Sequence, residues 1–178
     1  SSTHPLLRNE ALQFLAVFAT HDPTAVTAAV PDLAVLLQDE STETDTTARI
    51  LASIGGSQPD ALVDVVPKLE LFLETERETA HVWILTAIGQ LSKEHPNMTV
   101  EVAPTAGELL SADEVPLRSN AAGVLADIAD EYPTEVKPWV PDAIELMEDS
   151  DKQVRYNATS ILARVAAEHP DTVRPATE

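Results

Sequence analysis

Apolar side chains recur along this chain at spacings of three and four residues, and the whole pattern repeats every 36 or 37 residues. Such spacings are typical of amphipathic helices, and no segment shows the sustained alternation of a strand. The pattern predicts helices near 5–20, 24–38, 44–56, 60–75, 78–94, 98–111, 115–131, 134–148 and 152–168, with a stub at 171–178. Two apolar columns in one register are the predicted core, namely Leu15, Leu51, Ile88, Leu125 and Leu162, then Phe18, Ile54, Leu91, Ile128 and Val165.

Prolines mark the repeat most clearly. A leading proline stands at Pro23, Pro59, Pro96, Pro133 and Pro170, and a second follows eight residues later at Pro31, Pro67, Pro104 and Pro141. Proline is tolerated in the first turn of a helix because its missing N–H would be unpaired there. The leading prolines should therefore open helices, and each second proline predicts a kink or a start delayed by two turns. Counted from one long helix to the next, the units run 5–41, 42–76, 77–114, 115–151 and 152–178, which we expect to form a single domain.

The last two units carry a motif whose residues in the final one are Pro141, Glu145, Leu146, Asp149, Asp151, Val154, Arg155, Ala158, Leu162 and Ala166. A proline-bearing first helix, an aspartate in the turn and Val-Arg opening the second helix resemble a HEAT repeat. Arg8 and Arg118 share the register of Arg155, whereas Thr44 and His81 stand there in the other two units. The resemblance implies an all-α fold, a right-handed α-solenoid of about five two-helix repeats of the HEAT (armadillo-like) family, with about nine helices.

The net charge of the chain indicates the salt conditions in which the protein works. The chain has 30 acidic and 11 basic residues, for a net charge of -19, and lysine is scarce. Such a charge repels itself unless it is screened, and at molar salt the Debye length falls to about 3 Å. We interpret the chain as a cytoplasmic protein of an extremely halophilic archaeon; an acidic mesophilic protein is the alternative. Neither a membrane-spanning run nor a signal peptide is expected.

Candidate chemistry is sparse. The chain has no cysteine, which excludes disulfides, thiol nucleophiles and cysteine-ligated metal sites. His95 and His169 occupy equivalent places two units apart, too far for one ion, and their Glu-His-Pro triplets are typical of turns. The carboxylates fall mostly on solvent-facing helix positions. We therefore predict no enzyme activity, no catalytic residue, no cofactor and no metal site.

Stacked helical repeats offer a concave surface that binds other macromolecules. In a HEAT repeat the proline-bearing helix comes first and the long helix second, and the long helices should line this surface. They give a candidate partner-binding face of Arg49, Ser53, Trp83, Thr86, Gln90, Asn120, Asp127, Asn157, Ser160 and Arg164. Trp83 is either an interface anchor or, slightly favoured, a packing residue. The chain is predicted to be a non-enzymatic protein–protein interaction scaffold or adaptor with an unidentified protein partner.

The alternative is a HEAT-like protein that interacts with nucleic acid through a local arginine cluster of Arg49, Arg118, Arg155 and Arg164. Nucleic-acid binding is disfavoured because phosphate contacts need clustered cations, and the chain is acidic.

The first helix is apolar almost all round, at Leu6, Leu7, Leu12, Phe14, Leu15, Val17 and Phe18. An exposed apolar patch of this kind usually marks an interaction surface. The last eight residues also begin a unit that stops before its second helix. We expect that the chain is a fragment of a longer array or forms a homo-oligomer through Leu12 and Val17.

Overall fold

The computed structural model describes residues 5–39, 43–75 and 78–174. Within those ranges all regular structure is helical. Five helices that precede the leading prolines are the long ones: α1 (Pro5–His21), α3 (Thr44–Gly55), α5 (Glu78–Glu94), α7 (Val115–Ala129) and α10 (Lys152–Glu168). Their bounds agree with the ranges that the apolar pattern predicts to within about two residues. The predicted helical class is confirmed.

Each leading proline begins a helical segment, and after the first four of them a 3-10 or short α-helical stretch passes into a further α-helix. The 3-10 segments Pro23–Ala29 and Pro59–Val65 pass into α2 (Val30–Leu36) and α4 (Val66–Leu73). In the next two units α6 (Ala103–Glu108) follows Pro96–Met98 and Val100–Val102, and α9 (Val140–Glu145) follows α8 (Pro133–Val136) and Lys137–Trp139. The 3-10 segments Leu109–Ser111 and Leu146–Glu148 end these two units, and α11 (Pro170–Val173) follows α10.

The second prolines explain this interruption. Pro31, Pro67, Pro104 and Pro141 each lie in the first turn of an α-helix. Proline has no N–H to donate, and its ring clashes with the carbonyl four residues earlier, so it cannot continue a regular α-helix. The predicted kink or delayed start is confirmed at these four prolines, where the proline-bearing helix that follows the long helix is split. The predicted stub is α11, while residues 175–178 lie outside the described residues.

The chain divides into two compact units, one up to Leu91 and one from Ser92 onward. The expectation of a single domain stays a prediction. The first unit is built on apolar side chains with almost no exposure, namely Leu33, Leu37, Ile50, Leu51, Ile54, Leu62, Leu69, Phe72, Ile84, Leu85, Ile88 and Leu91. The second has an equivalent core of Val102, Leu110, Leu117, Leu125, Ile128, Val136, Val140, Val154, Ile161 and Val165.

The two predicted core columns are buried in every repeat except the first, which begins with α1. Leu15 is half-buried and Phe18 is exposed, which corrects the prediction for α1. Within the described residues α1 packs against one long helix, α3. A helix with one long neighbour buries a narrower stripe, and Leu12 and Ala19, seven residues apart, form it.

The arginine of the HEAT-like motif ties the long helix to the turns on either side of it. The Nε of Arg118 donates to Oδ2 of Asp149 at 2.9 Å, and its Nη1 donates to the carbonyls of Ala112 and Asp113 at 2.7 Å. Arg8 pairs with Asp39 across the same separation of 31 residues. In the same register His81 is buried instead, edge-on to Phe72 with ring centroids 5.5 Å apart. The arginine at this motif position therefore has a structural role, because it connects a long helix to the neighbouring turns.

Candidate functional site

A groove in the first compact unit, which ends at Leu91, contains four residues of the predicted binding face. Side chains of α1, α3 and α5 enclose about 440 Å³ there. We call it the Trp83 groove; its lining residues are Gln13, Ala16, Ala19, Thr20, Thr46, Arg49, Ile50, Ala52, Ser53, Trp83 and Thr86. The register therefore brings Arg49, Ser53, Trp83 and Thr86 together. Thr46, which the binding-face prediction missed, shares the repeat position of Trp83, so the register would have found it.

Small residues create the depth of the groove. Ala16 and Ala52 belong to a repeat column that holds alanine or glycine in every unit, and both line the groove. The Oγ of Ser53 donates to the carbonyl of Ala19 at 2.6 Å and joins α3 to α1 there. Because alanine side chains end at Cβ, the long helices leave space between their larger side chains. The buried residues Ala19, Ile50 and Ala52 form an apolar floor, and the less buried Gln13, Thr46 and Thr86 form a polar rim.

Arg49 lies over the ring of Trp83. The guanidinium carbon Cζ is 5.5 Å from the ring centroid, within the range of a cation–π contact. Trp83 is 37% exposed and its side chain lines the groove. This exposure favours the interface-anchor alternative over complete burial in the core. Both side chains come from adjacent long helices, which places a planar cation and a large aromatic surface side by side.

A smaller pocket in the second unit contains two further face residues. It encloses about 160 Å³ between Ser92, Lys93, Glu94, Pro96, Asp127, Asp130, Glu131 and Arg164. Arg164 lies 3.2 Å from a carboxylate oxygen of Asp130 and 3.8 Å from one of Asp127. Burial raises the pKa of Asp127, against the lowering effect of Lys93 and Arg164. Asp130, which the prediction missed, is three residues beyond Asp127 and so shares its helix face.

The other four predicted face residues line neither pocket. Gln90 and Asn120 are half-buried on α5 and α7. The Nδ2 of Asn157 donates to the carbonyl of Ser119 at 2.8 Å, so its amide joins α10 to α7. The Oγ of Ser160 donates to the carbonyl of Tyr156 at 3.0 Å, within its own helix.

Most of the arginines named for the nucleic-acid alternative contact oxygens of the protein itself. Arg118 is bound to Asp149 and to two carbonyls, and Arg155 donates to the carbonyls of Asp149 and Ser150 at 2.7 and 2.9 Å. Arg164 is held between Asp127 and Asp130. Three of the four guanidinium groups are thus engaged with oxygens of their own unit.

The apolar patch on α1 differs from the one predicted. Leu12 is 2% exposed and packs inward, so it is not a surface residue. The exposed apolar side chains are Leu7, Phe14, Val17 and Phe18, and the rings of Phe14 and Phe18 are 4.6 Å apart. We call these four residues the α1 patch. The side chain of Leu6 lies outside the described residues.

The described residues hold no group of three or more histidine, aspartate or glutamate side chains placed to bind a metal ion. Over the same residues, no helix is long and apolar enough to cross a membrane.

Comparison with proteins of known structure identifies the fold class. No known family profile and no curated protein matches the chain. One engineered protein of known structure is similar over 99% of this chain and 49% of its own length, with 24% identity and a TM-score of 0.88, so this chain spans about half of it. A designed armadillo repeat protein in complex with the peptide (KR)4 matches over 98% of this chain and 84% of its own length, with 19% identity and a TM-score of 0.85. Computationally designed armadillo repeat proteins for modular peptide recognition match over 98% and 83%, with the same identity and TM-score. The chain therefore has the all-helical α-solenoid fold of designed helical repeat proteins.

Proposed function

We propose that this protein is a non-enzymatic interaction scaffold that binds an extended segment of a partner protein on the face of its long helices. The observation that carries the proposal is the Trp83 groove, where an exposed tryptophan and an arginine stand side by side over an apolar floor. Tryptophan and arginine, together with tyrosine, are the residues most enriched at interface hot spots. Peptide binding by a designed armadillo repeat protein of the same fold supports this reading.

The shape of the groove suits a peptide side chain. Its volume of about 440 Å³ lies within the range of ligand pockets, which is about 300 to 1,000 Å³. Ile50 and the alanines offer an apolar surface, and the rim residues Gln13, Thr46 and Thr86 offer hydrogen-bonding groups. An apolar side chain of the partner would rest on the floor while its backbone meets the polar rim.

The lining of the groove supports binding rather than catalysis. General acid–base chemistry needs a positioned group that exchanges a proton near neutral pH. The described lining residues include no histidine, aspartate, glutamate or lysine, and the hydroxyl of Ser53 donates to a backbone carbonyl. From the acidic composition, with a net charge of -19, we also propose a cytoplasmic location and a high-salt habitat.

Selection from a displayed library of random octapeptides tests the proposal. The wild-type protein should enrich specific sequences, and Trp83→Ala should bind the resynthesised peptides at least about tenfold more weakly, since hot-spot tryptophans contribute about 2 kcal/mol or more. Tyr156→Ala is the matched control, because Tyr156 is an exposed aromatic residue on α10 that lines neither pocket. Equal affinities of wild type and Trp83→Ala for every enriched peptide would contradict the proposal.

A further inference from the structure

The charge inside the Trp83 groove is opposite to that of the protein. The net charge of the chain is -19. Among the described residues that line the groove, Arg49 is the one with a charged side chain. A ligand in the groove therefore meets a single cation at close range and no carboxylate.

Arg49 also differs from the other described arginines in what it contacts. Arg8, Arg118, Arg164 and Arg174 pair with carboxylates, and Arg155 donates to two backbone carbonyls. For Arg49, the interaction among described residues is the contact with the Trp83 ring. Among the described residues no carboxylate pairs with Arg49, although the chain has 30 acidic residues, so its guanidinium N–H groups can donate to a ligand.

We propose that the Trp83 groove binds its partner through an acidic side chain, with the carboxylate bound by Arg49 and an adjacent apolar side chain packed against Trp83. This inference rests on the proposed function and names the class of peptide. The guanidinium matches a carboxylate with two parallel hydrogen bonds. The Trp83 ring restricts the orientation of the guanidinium, so less conformational entropy is lost when the carboxylate binds.

Two other ligand classes fit the groove poorly. A basic peptide such as (KR)4, which the designed armadillo protein binds, would bring its cations against Arg49. Nucleic acid needs several cations along its backbone, and the groove offers one. The net charge of the protein opposes an acidic peptide at long range, but at molar salt the Debye length falls to about 3 Å, so carboxylates outside the groove are screened and the direct contact with Arg49 dominates.

Charge reversal at Arg49 tests the inference. Octapeptide selections on wild type, Arg49→Glu and Lys68→Glu would be compared for the charge of the enriched sequences. Lys68→Glu makes the same change of net charge at an exposed residue of the first unit that does not line the groove. Wild type and Lys68→Glu should enrich aspartate or glutamate at one position, and Arg49→Glu should enrich lysine or arginine there. Circular dichroism would establish that all three proteins are equally helical.

A second readout measures the pairing directly. Replacing the enriched acidic residue of a resynthesised peptide by its amide should weaken binding to wild type about tenfold or more, and should not change binding to Arg49→Gln. Neutral or basic peptides enriched on wild type, or acidic peptides that bind Arg49→Glu equally well, would overturn the inference while leaving the proposed function in place. No enrichment on wild type would overturn both.

Discussion

Asp149 holds the turn before α10 through charge-assisted hydrogen bonds. Its Oδ1 accepts from the backbone N–H of Asp151 at 2.8 Å, and its Oδ2 accepts from Arg118. These bonds, the backbone one first, hold the pKa of Asp149 below its ordinary value of 3.8. A carboxyl group with a lowered pKa in the folded state stabilises the fold above its unfolded pKa, and that contribution is lost as the pH falls through the folded pKa.

Asp149→Asn should therefore lower the free energy of unfolding by about 1.5 to 3 kcal/mol at pH 7, since hydrogen bonds to charged groups contribute that much. The difference from wild type should shrink as the pH falls below about 4. Urea denaturation from pH 7 to pH 3 measures it. Asp127→Asn is the control, because burial raises the pKa of Asp127 and its effect on the pH dependence has the opposite sign. A gap for Asp149→Asn that is constant with pH would show that the carboxylate charge is not involved.

At the scale of elements, two of the split proline-bearing helices approach each other closely at a point that the repeat pattern does not predict. Gly107 on α6 faces Trp139 in the segment Lys137–Trp139. A Cβ atom built on Gly107 would collide with the indole ring of Trp139. Glycine is thus required at this position by the ring, not by an unusual backbone angle, since the described glycines have negative φ.

Gly107→Ala should lower the free energy of unfolding by about 1 to 3 kcal/mol, the usual cost of overpacking a core. Gly56→Ala is the matched control, because a Cβ there meets ordinary contacts of 3.6 Å and Gly56 has helical backbone angles. It should leave stability unchanged or raise it by up to about 1 kcal/mol. Thermal unfolding followed by circular dichroism compares the two. Equal melting temperatures for both variants would mean that α6 moves away from Trp139 without cost.

The α1 patch gives a prediction about association. Phe14 and Val17 are 64% and 58% exposed, and we expect the protein to self-associate through this surface. Phe14→Asp with Val17→Asp should then yield a monomer of unchanged helix content, as measured by light scattering and circular dichroism. Leu71→Asp is the control, since Leu71 is an exposed apolar residue of α4 outside the patch. A wild-type protein that is monomeric would refute the expectation.

How much the sequence predicts depends on whether a feature follows from the repeat. The long helices, the delayed starts at the second prolines and the grouping of Arg49, Ser53, Trp83 and Thr86 all follow from register, because equivalent positions lie on equivalent helix faces. The burial of Leu12 does not follow from register, because it depends on how many helices pack against α1. The stacking of Arg49 on Trp83 and the engagement of Arg118 and Arg155 depend on side-chain rotamers, which spacing does not determine.

At the scale of the whole molecule, the net charge of -19 is the dominant feature. Repulsion among so many like charges destabilises the compact state unless salt screens it. We therefore predict that the melting temperature falls markedly between about 3 M and 0.1 M salt. Circular dichroism at a series of salt concentrations measures this, with a non-ionic osmolyte as the control for excluded-surface effects. A melting temperature that is unchanged at the low end would contradict the high-salt interpretation.

The central claim is that partners bind at the Trp83 groove, and the two tryptophans of the chain allow it to be observed directly. Each indole N–H gives its own signal in a proton–nitrogen NMR spectrum, and Trp139 belongs to the other compact unit and serves as an internal reference. Addition of an acidic octapeptide enriched on the wild-type protein should shift the Trp83 signal in a saturable way and leave the Trp139 signal in place. A saturable shift of Trp139 alone, or binding that leaves both signals unmoved, would contradict the account.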